Sequence, residues 1–238
     1  YHFLIEEKII PIKEIISNTV VNTLVLDVKT DNGHILYDSQ IKEVDQLNNE
    51  RIKYDKKTLK ASKEEFDIYL IGRIVAFQDP LFSRKYTESA IIDVATNNPY
   101  FQNGQYFLDP SDNKSREYIL NIAVEACLLG FDEIQFDYIR YPDTSYQGLI
   151  YDEKSSFENR TNNINSFLQN ATDILHDIGC LTSADIFGYV LNAKSDNGIG
   201  QYLETIVNTV DFISPMVYPS HYSKGSFGYN NPNDFPYE

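Results

Sequence analysis

A (β/α)8 TIM barrel, incomplete in this chain with about strands two to six visible, is the fold that the sequence predicts. Three observations carry it. Short apolar segments alternate with helical patterns, which implies parallel strands joined by crossover helices. The strands turn charged at their C-terminal ends, where a barrel keeps its active site. No glycine-rich phosphate loop follows any of them, so a nucleotide-binding doubly wound sheet loses support.

The strand-length segments are "NTLVLDVK" (22–29), "IYLIGRIVAF" (68–77), "EIQFDYI" (133–139), "LTSADIF" (181–187) and "DFISPMVY" (211–218). Their near-continuous apolar character suits a sheet covered on both faces. Between them lie helical spacings. Ile12, Ile15 and Ile16 follow Pro11, a good first helical residue. Ile119, Ile122, Ala123, Ala126 and Leu129 recur at helical spacing and stop at Gly130; Ile164, Phe167, Leu168, Ala171 and Leu175 do the same before Gly179. Ile199, Leu203, Ile206 and Val210 predict a shorter helix. The connections 30–67 and 78–108 are long, and loops of that length are usually functional. Residues 56–65 are expected to be helical, and 104–109 could hide a further strand. Asp79 and Asp109 each precede Pro, the pattern of an N-cap followed by the first helical residue.

A full barrel needs eight strands and about 250 residues. The 238 residues read as a single domain, 1–238, clipped at both ends. The chain starts without Met, so a leader has been removed or the chain is a fragment. The expected location is extracytoplasmic, secreted or in a cell envelope.

Composition narrows the partners. A net charge of −15 argues against nucleic acid and anionic membrane surfaces. No run of about 18 apolar residues is present, so no membrane span is expected. There are 18 tyrosines and no Trp. A flat ring with a polar tip suits a sugar-lined cleft, although a biased genome would give the same composition. Cys127 and Cys180 fit no metal spacing and read as buried thiols. The oligomeric state is open.

Parity places the candidate site. Alternate strand residues share a face. Asp27 and Lys29 lie opposite Leu24, Leu26 and Val28; Gln135 and Asp137 lie opposite Ile134 and Phe136; Ser183 and Asp185 pair likewise. Polar side chains thus face the barrel interior near its top, and apolar ones face the helices.

Taken together, "NTLVLDVKTDNG", "GRIVAFQDP", "GFDEIQFDYIRYP", "SADIFG", "DFISPMVYPSHY" and "GSFG" resemble, in order and spacing, the putative glycoside-hydrolase domain family. This is a group of bacterial barrels long called a domain of unknown function, distantly similar to α-amylase-type barrels. The resemblance covers about residues 10–236. It implies that residues 22–29, 68–77, 133–139, 181–187 and 211–218 are the family's strands two to six. In α-amylase-type barrels the nucleophilic Asp ends strand four, and Asp137 stands in the matching place. Those enzymes carry Arg two residues earlier, where this chain has Gln135, and a strand-five Glu as acid/base, where it offers Asp185.

Glycoside hydrolysis needs two carboxyl groups flanking the bond, about 5–5.5 Å apart for retention or about 6.5–9.5 Å for inversion. Asp137 is the expected nucleophile or transition-state stabiliser and Asp185 the expected proton donor. An ion pair of Asp137 with Arg73 or Lys29 is the competing reading. Asp27, Lys29, Arg73, Gln135, Tyr218 and His221 are the expected substrate-binding residues. Asp27 and Lys29 would bind hydroxyls, Arg73 would orient a carboxylate, and Tyr218 and His221 would stack on or hydrogen-bond a sugar. Arg140 is expected to anchor the following loop through Asp143, and Tyr138 to face the helices. The substrate is expected to be a polysaccharide or oligosaccharide, and no cofactor or metal is expected. Two alternatives remain: an inactive glycan-binding or scaffold barrel of the cell envelope, and a metal-dependent hydrolase using Asp27, Asp137 and Asp185.

Overall fold

The structure, a computed structural model, describes residues 6–144, 148–151 and 154–237. Five parallel strands form the central sheet: β1 (Thr23–Lys29), β2 (Tyr69–Val75), β3 (Glu133–Asp137), β4 (Leu181–Phe187) and β5 (Phe212–Met216). Each lies within its expected segment. They stand in chain order, β1-β2-β3-β4-β5, without a reversal. Among the described residues the winding therefore runs in one direction, without the switch point of a doubly wound sheet. The sheet is open among the described residues, with β1 and β5 at its edges.

The helices are α1 (Glu6–Asn18), α2 (Lys42–Leu47), α3 (Lys56–Phe66), α4 (Pro80–Lys85), α5 (Asn113–Leu129), α6 (Phe157–Asp177) and α7 (Leu203–Ile206). The helix expected around 199–210 shrinks to the four residues of α7. The two long helices supply the core. Ile122 and Ala126 of α5 and Phe167 and Leu168 of α6 are buried with Ile134 and Phe136 of β3. Phe167 sets its edge against both Phe136 and Phe77, with ring centroids at 5.5 and 5.3 Å. Ile134 and Phe136 thus pack under helices, as their parity requires.

The opposite face of the sheet carries Arg73, Gln135, Asp137, Asp185 and Ser214, and is only partly covered. Val25, Leu181 and Phe212 on it are 51%, 37% and 50% exposed. The lower ends of the strands are tied by charge. Asp132 accepts hydrogen bonds from the Leu70 N–H and the Lys63 ammonium at 2.9 and 2.6 Å, and Glu133 accepts from the Tyr69 hydroxyl at 3.1 Å.

Helix ends follow local chemistry. Asp79 caps α4, accepting from the N–H groups of Leu81 and Phe82, with Pro80 as the first helical residue. Asp109 does not cap α5. It closes a turn onto Ser111, and Asp112 is the cap, accepting from the Ser115 N–H at 2.7 Å. Three residues thus separate the expected start from the real one, because the Asp-Pro pair is used for a turn.

The long connection before β2 is held by one acid: Glu125 of α5 accepts from the Tyr37 and Ser39 hydroxyls and the Gln40 N–H. The connection 78–108 carries α4 and a two-residue hairpin pairing Phe101–Gln102 with Gln105–Tyr106, so the strand suspected at 104–109 is real but minimal.

The cysteines correct the expectation of free thiols. Cys127, near the end of α5, and Cys180, just before β4, form a disulfide with a Cα–Cα distance of 6.0 Å. Their 53-residue separation gave no local signal; the bridge exists because β3 returns beside β4 under the end of α5. Closing a loop of that length removes roughly 4 kcal/mol of unfolded-state entropy on the loop-closure model. The Cys127→Ala/Cys180→Ala double variant is expected to lose about 2–5 kcal/mol in denaturant titrations, and reductant is expected to shift the wild type alone. Coincident midpoints for all forms would exclude a stabilising bridge.

Candidate active site at the C-terminal ends of the strands

The site grows from strand register. Arg73 of β2 pairs in register with Asp27 of β1 and Gln135 of β3. Phe136 pairs with Ala184, so the next residues, Asp137 and Asp185, stand side by side where β3 and β4 end. Asp185 in turn is level with Ser214 of β5. Neighbouring strands lie about 4.8 Å apart, so the two residues are close neighbours on adjacent strand ends.

Arg73 organises the acids. Its Nη1 donates to Asp27 Oδ1 at 2.8 Å, while Nε at 3.0 Å and Nη2 both donate to Asp137 Oδ2. The fork geometry of a guanidinium suits this double grip on one carboxylate. The other oxygen, Asp137 Oδ1, accepts the Tyr138 N–H at 2.7 Å. Asp137 is thereby fixed in orientation and is only 6% exposed.

Asp185 has a different environment. It is 8% exposed, and its carboxyl pKa is pushed up to about 7. Burial is the largest cause and the Asp137 charge the second; Arg73 and a hydrogen bond with Ser214 oppose them. The two neighbouring acids thus sit in different surroundings, Asp137 held by a guanidinium and Asp185 buried with its carboxyl pKa raised. Gln135 reaches across the strands to Ser214, its Nε2 donating to the hydroxyl at 3.2 Å.

The cleft above Asp137 has a volume of about 190 Å³ and is lined by Arg73, Asp137, Tyr138, Arg140, Phe187, Met216 and His221. Asp185 is not part of this lining and stands next to it on β4. His221 lies edge-on to Phe187 and Tyr218, with centroids at 5.7 and 5.1 Å. It also borders a neighbouring cavity of about 290 Å³ that extends to Asp143, Tyr189 and Asn197. Gly188 permits this arrangement, since a Cβ there would come within 2.6 Å of the Tyr222 hydroxyl and 2.7 Å of the Met216 carbonyl oxygen. Any side chain would push the 216–222 loop off the end of β4.

The structure therefore brings Asp27, Arg73, Gln135, Asp137 and Asp185 onto one face, with His221 at the rim. Tyr218 touches His221 and is 58% exposed. Lys29 is separated from them. A register shift between Asp27 and Lys29 breaks their shared parity. Lys29 is fully buried, its ammonium 3.1 Å from Asp79 and bonded to the carbonyls of Val75 and Gln78. Burial pushes its pKa down, and Asp79 pushes it back up. It joins the β1 and β2 ends and offers no surface to a substrate. Lys29→Met would leave Asp79 a buried, unpaired carboxylate and is expected to cost about 3–5 kcal/mol in thermal or urea unfolding. A loss below about 1 kcal/mol would show that the pair is replaceable.

Four cleft residues, Tyr138, Arg140, Phe187 and Met216, were not among the expected site residues. Tyr138 adopts a left-handed φ of 50°, which ends β3 and rotates the following chain by a step that strand parity does not describe. Tyr138, expected to face the helices, and Arg140, expected to anchor the following loop through Asp143, consequently line the cleft. Arg140 donates to the Tyr141 carbonyl at 2.9 Å. Tyr141 itself is buried and bonded to Asn163. Among the described residues, no three His, Cys, Asp or Glu side chains are grouped as a metal-ligand set.

Comparison with known proteins bears on the family and the fold. Residues 4–238 match a family model described as "Putative glycosyl hydrolase domain", the family that the motifs resemble. A hypothetical protein from Ruminiclostridium thermocellum ATCC 27405 is 31% identical with a TM-score of 0.67, over 77% of this chain and 93% of that one. The glycoside hydrolase domain of PgaB (BpsB) from Bordetella bronchiseptica is 13% identical with a TM-score of 0.62, over 83% of this chain and 65% of that one. The noncanonic maltogenic α-amylase AmyB from Thermotoga neapolitana is 14% identical with a TM-score of 0.51, over 88% of this chain and 45% of that one. The last two likenesses concern the fold, and the chain spans less than two thirds of either structure. No functionally curated protein matches the sequence. With almost the whole chain matched and a 31%-identical structure beside it, the protein belongs to the family of the putative glycosyl hydrolase domain.

Proposed function

We propose that this domain cleaves a glycosidic bond of a polysaccharide with Asp137 as nucleophile or oxocarbenium stabiliser and Asp185 as proton donor. The observation that carries the reading is the contrast between two adjacent acids on one strand level: Asp137 gripped by Arg73, Asp185 with its pKa pushed up to about 7. In the reaction, Asp185 passes its proton to the leaving oxygen as the bond to the anomeric carbon breaks. Asp137 takes up, or covalently captures, the positive charge that develops there, and water completes the hydrolysis. Arg73 holds Asp137 in position for this. Asp27 keeps Arg73 in place from the other side, and Gln135 orients Ser214 beside Asp185.

The five strands are read as consecutive strands of an eight-stranded barrel. Their chain order and the half-exposed Val25, Leu181 and Phe212 on the inner face support this. The disulfide supports an extracytoplasmic location, since such bridges persist in oxidising compartments.

One observation favours a second reading, a glycan-binding domain without turnover. Both oxygens of Asp137 are engaged in hydrogen bonds, and Asp185 lies outside the cleft lining. The release of new reducing ends from bacterial envelope polysaccharides, by the wild type and by Asp137→Asn, separates the two.

A further inference from the structure

Arg140 is buried at 8% exposure, lines the cleft, and makes no ion pair among the described residues. Among the described residues its one hydrogen bond to protein goes to the Tyr141 carbonyl, and the Asp143 and Asp137 charges act on it without forming an ion pair. A guanidinium carries five N–H donors, so most of its capacity is open. Around it stand three aromatic rings: Phe187 at 4.8 Å, Tyr138 at 5.1 Å and Phe107 at 5.9 Å from the guanidinium carbon to the ring centroids. The rings accommodate the charge but accept no in-plane hydrogen bond. Elsewhere in the domain the deeply buried cations are paired: Lys29 with Asp79, and Arg160 with Asp196. Arg73, also in the cleft, is already spent on two carboxylates.

A buried cation without a counter-ion is costly unless an anion completes it. The planar fork matches a carboxylate with two parallel hydrogen bonds, and the apolar surroundings strengthen the pair. We propose that Arg140 binds the carboxylate of an acidic sugar, so that the preferred substrate is a uronate-containing polysaccharide. This rests on reading the cleft as a carbohydrate site. The net charge of −15 does not prevent it, because surface charges beyond about 8 Å are screened at physiological salt, whereas the Arg140 contact is direct.

The test is binding, not turnover. Affinity gel electrophoresis compares polygalacturonate, alginate and hyaluronan with the carboxyl-reduced, neutral form of each. The wild type is expected to be retarded about tenfold more strongly by at least one acidic polymer than by its neutral counterpart, the scale of a charge-assisted hydrogen bond. Arg140→Gln is expected to lose that preference and Arg140→Lys to retain part of it. Equal retardation of the wild type by acidic and neutral forms would overturn the assignment without requiring any variant to fold. So would a preference unchanged in a folded Arg140→Gln protein. Asp137→Asn is expected to keep the preference, so a failure of the hydrolytic reading leaves this result distinguishable.

Discussion

Asp137→Asn is expected to lower the turnover of any cleaved polysaccharide by at least about a thousandfold, the scale of losing a catalytic nucleophile. The substitution keeps the shape of the side chain and removes its charge. The neutral amide can neither attack the anomeric carbon as a carboxylate does nor stabilise a developing oxocarbenium ion to the same degree. The fold should survive. Arg73 retains its bond to Asp27 at 2.8 Å and is itself partly exposed, while Asp137 is buried, so the loss in stability is expected to be about 1–3 kcal/mol, between that of a surface pair and that of a broken buried one. Reducing-end release and a thermal melt on the same preparation check both halves. Turnover within tenfold of the wild type would remove Asp137 from the chemistry, and a collapse of the melt would show instead that the Arg73 network is chiefly structural.

Asp185 predicts a pH effect with a definite sign. Its pKa is raised in the folded state to about 7 from an ordinary value of 3.8. The proton needed by a general acid is therefore present below about pH 7 and is lost above it, so the basic limb of the activity profile is expected near pH 7. The same shift governs stability. A raised pKa means that the native state holds a proton the unfolded chain releases. The contribution is fully present below the unfolded value and falls away as the pH rises through the folded one. Asp185→Asn removes that dependence. It is expected to be inactive yet more stable than the wild type at pH 8, by on the order of 3 kcal/mol, and to differ little at pH 4. Denaturant titrations at the two pH values check it. Equal stability of variant and wild type at pH 8, with activity unchanged above pH 7, would remove Asp185 as the acid.

These two residues show how far linear information reaches. Strand parity and the C-terminal position of the charges put Asp137 and Asp185 on one face at the strand ends, since a parallel strand repeats every two residues and its end faces the open side of the sheet; singling them out from Asp27, Lys29 and Arg73 took the family resemblance. The same parity failed at Lys29, where a register shift in β1 sends the ammonium into the interior, and at Tyr138, where a left-handed φ turns Tyr138 and Arg140 towards the cleft. Both failures occur where a strand stops being regular, and no local propensity in "DVK" or "DYIR" announces them.

Capping and packing divide in the same way. Gly130, Asp79 and the apolar stripes of α5 and α6 act through their immediate neighbours, and they could be read from the chain. The Asp109 turn, the Cys127–Cys180 bridge and the grip of Glu125 on residues 37–40 join parts of the chain that come together only when the helices pack. By itself the sequence determined which segments are strands and helices and the face that each one buries, because these depend on periods of two and 3.6 residues. The tertiary structure alone decided which acid is gripped and which has its pKa raised, and left Arg140 in the cleft with no ion pair among the described residues. Those properties come from burial and from the distance between charges, which are set by neighbours far apart in the chain.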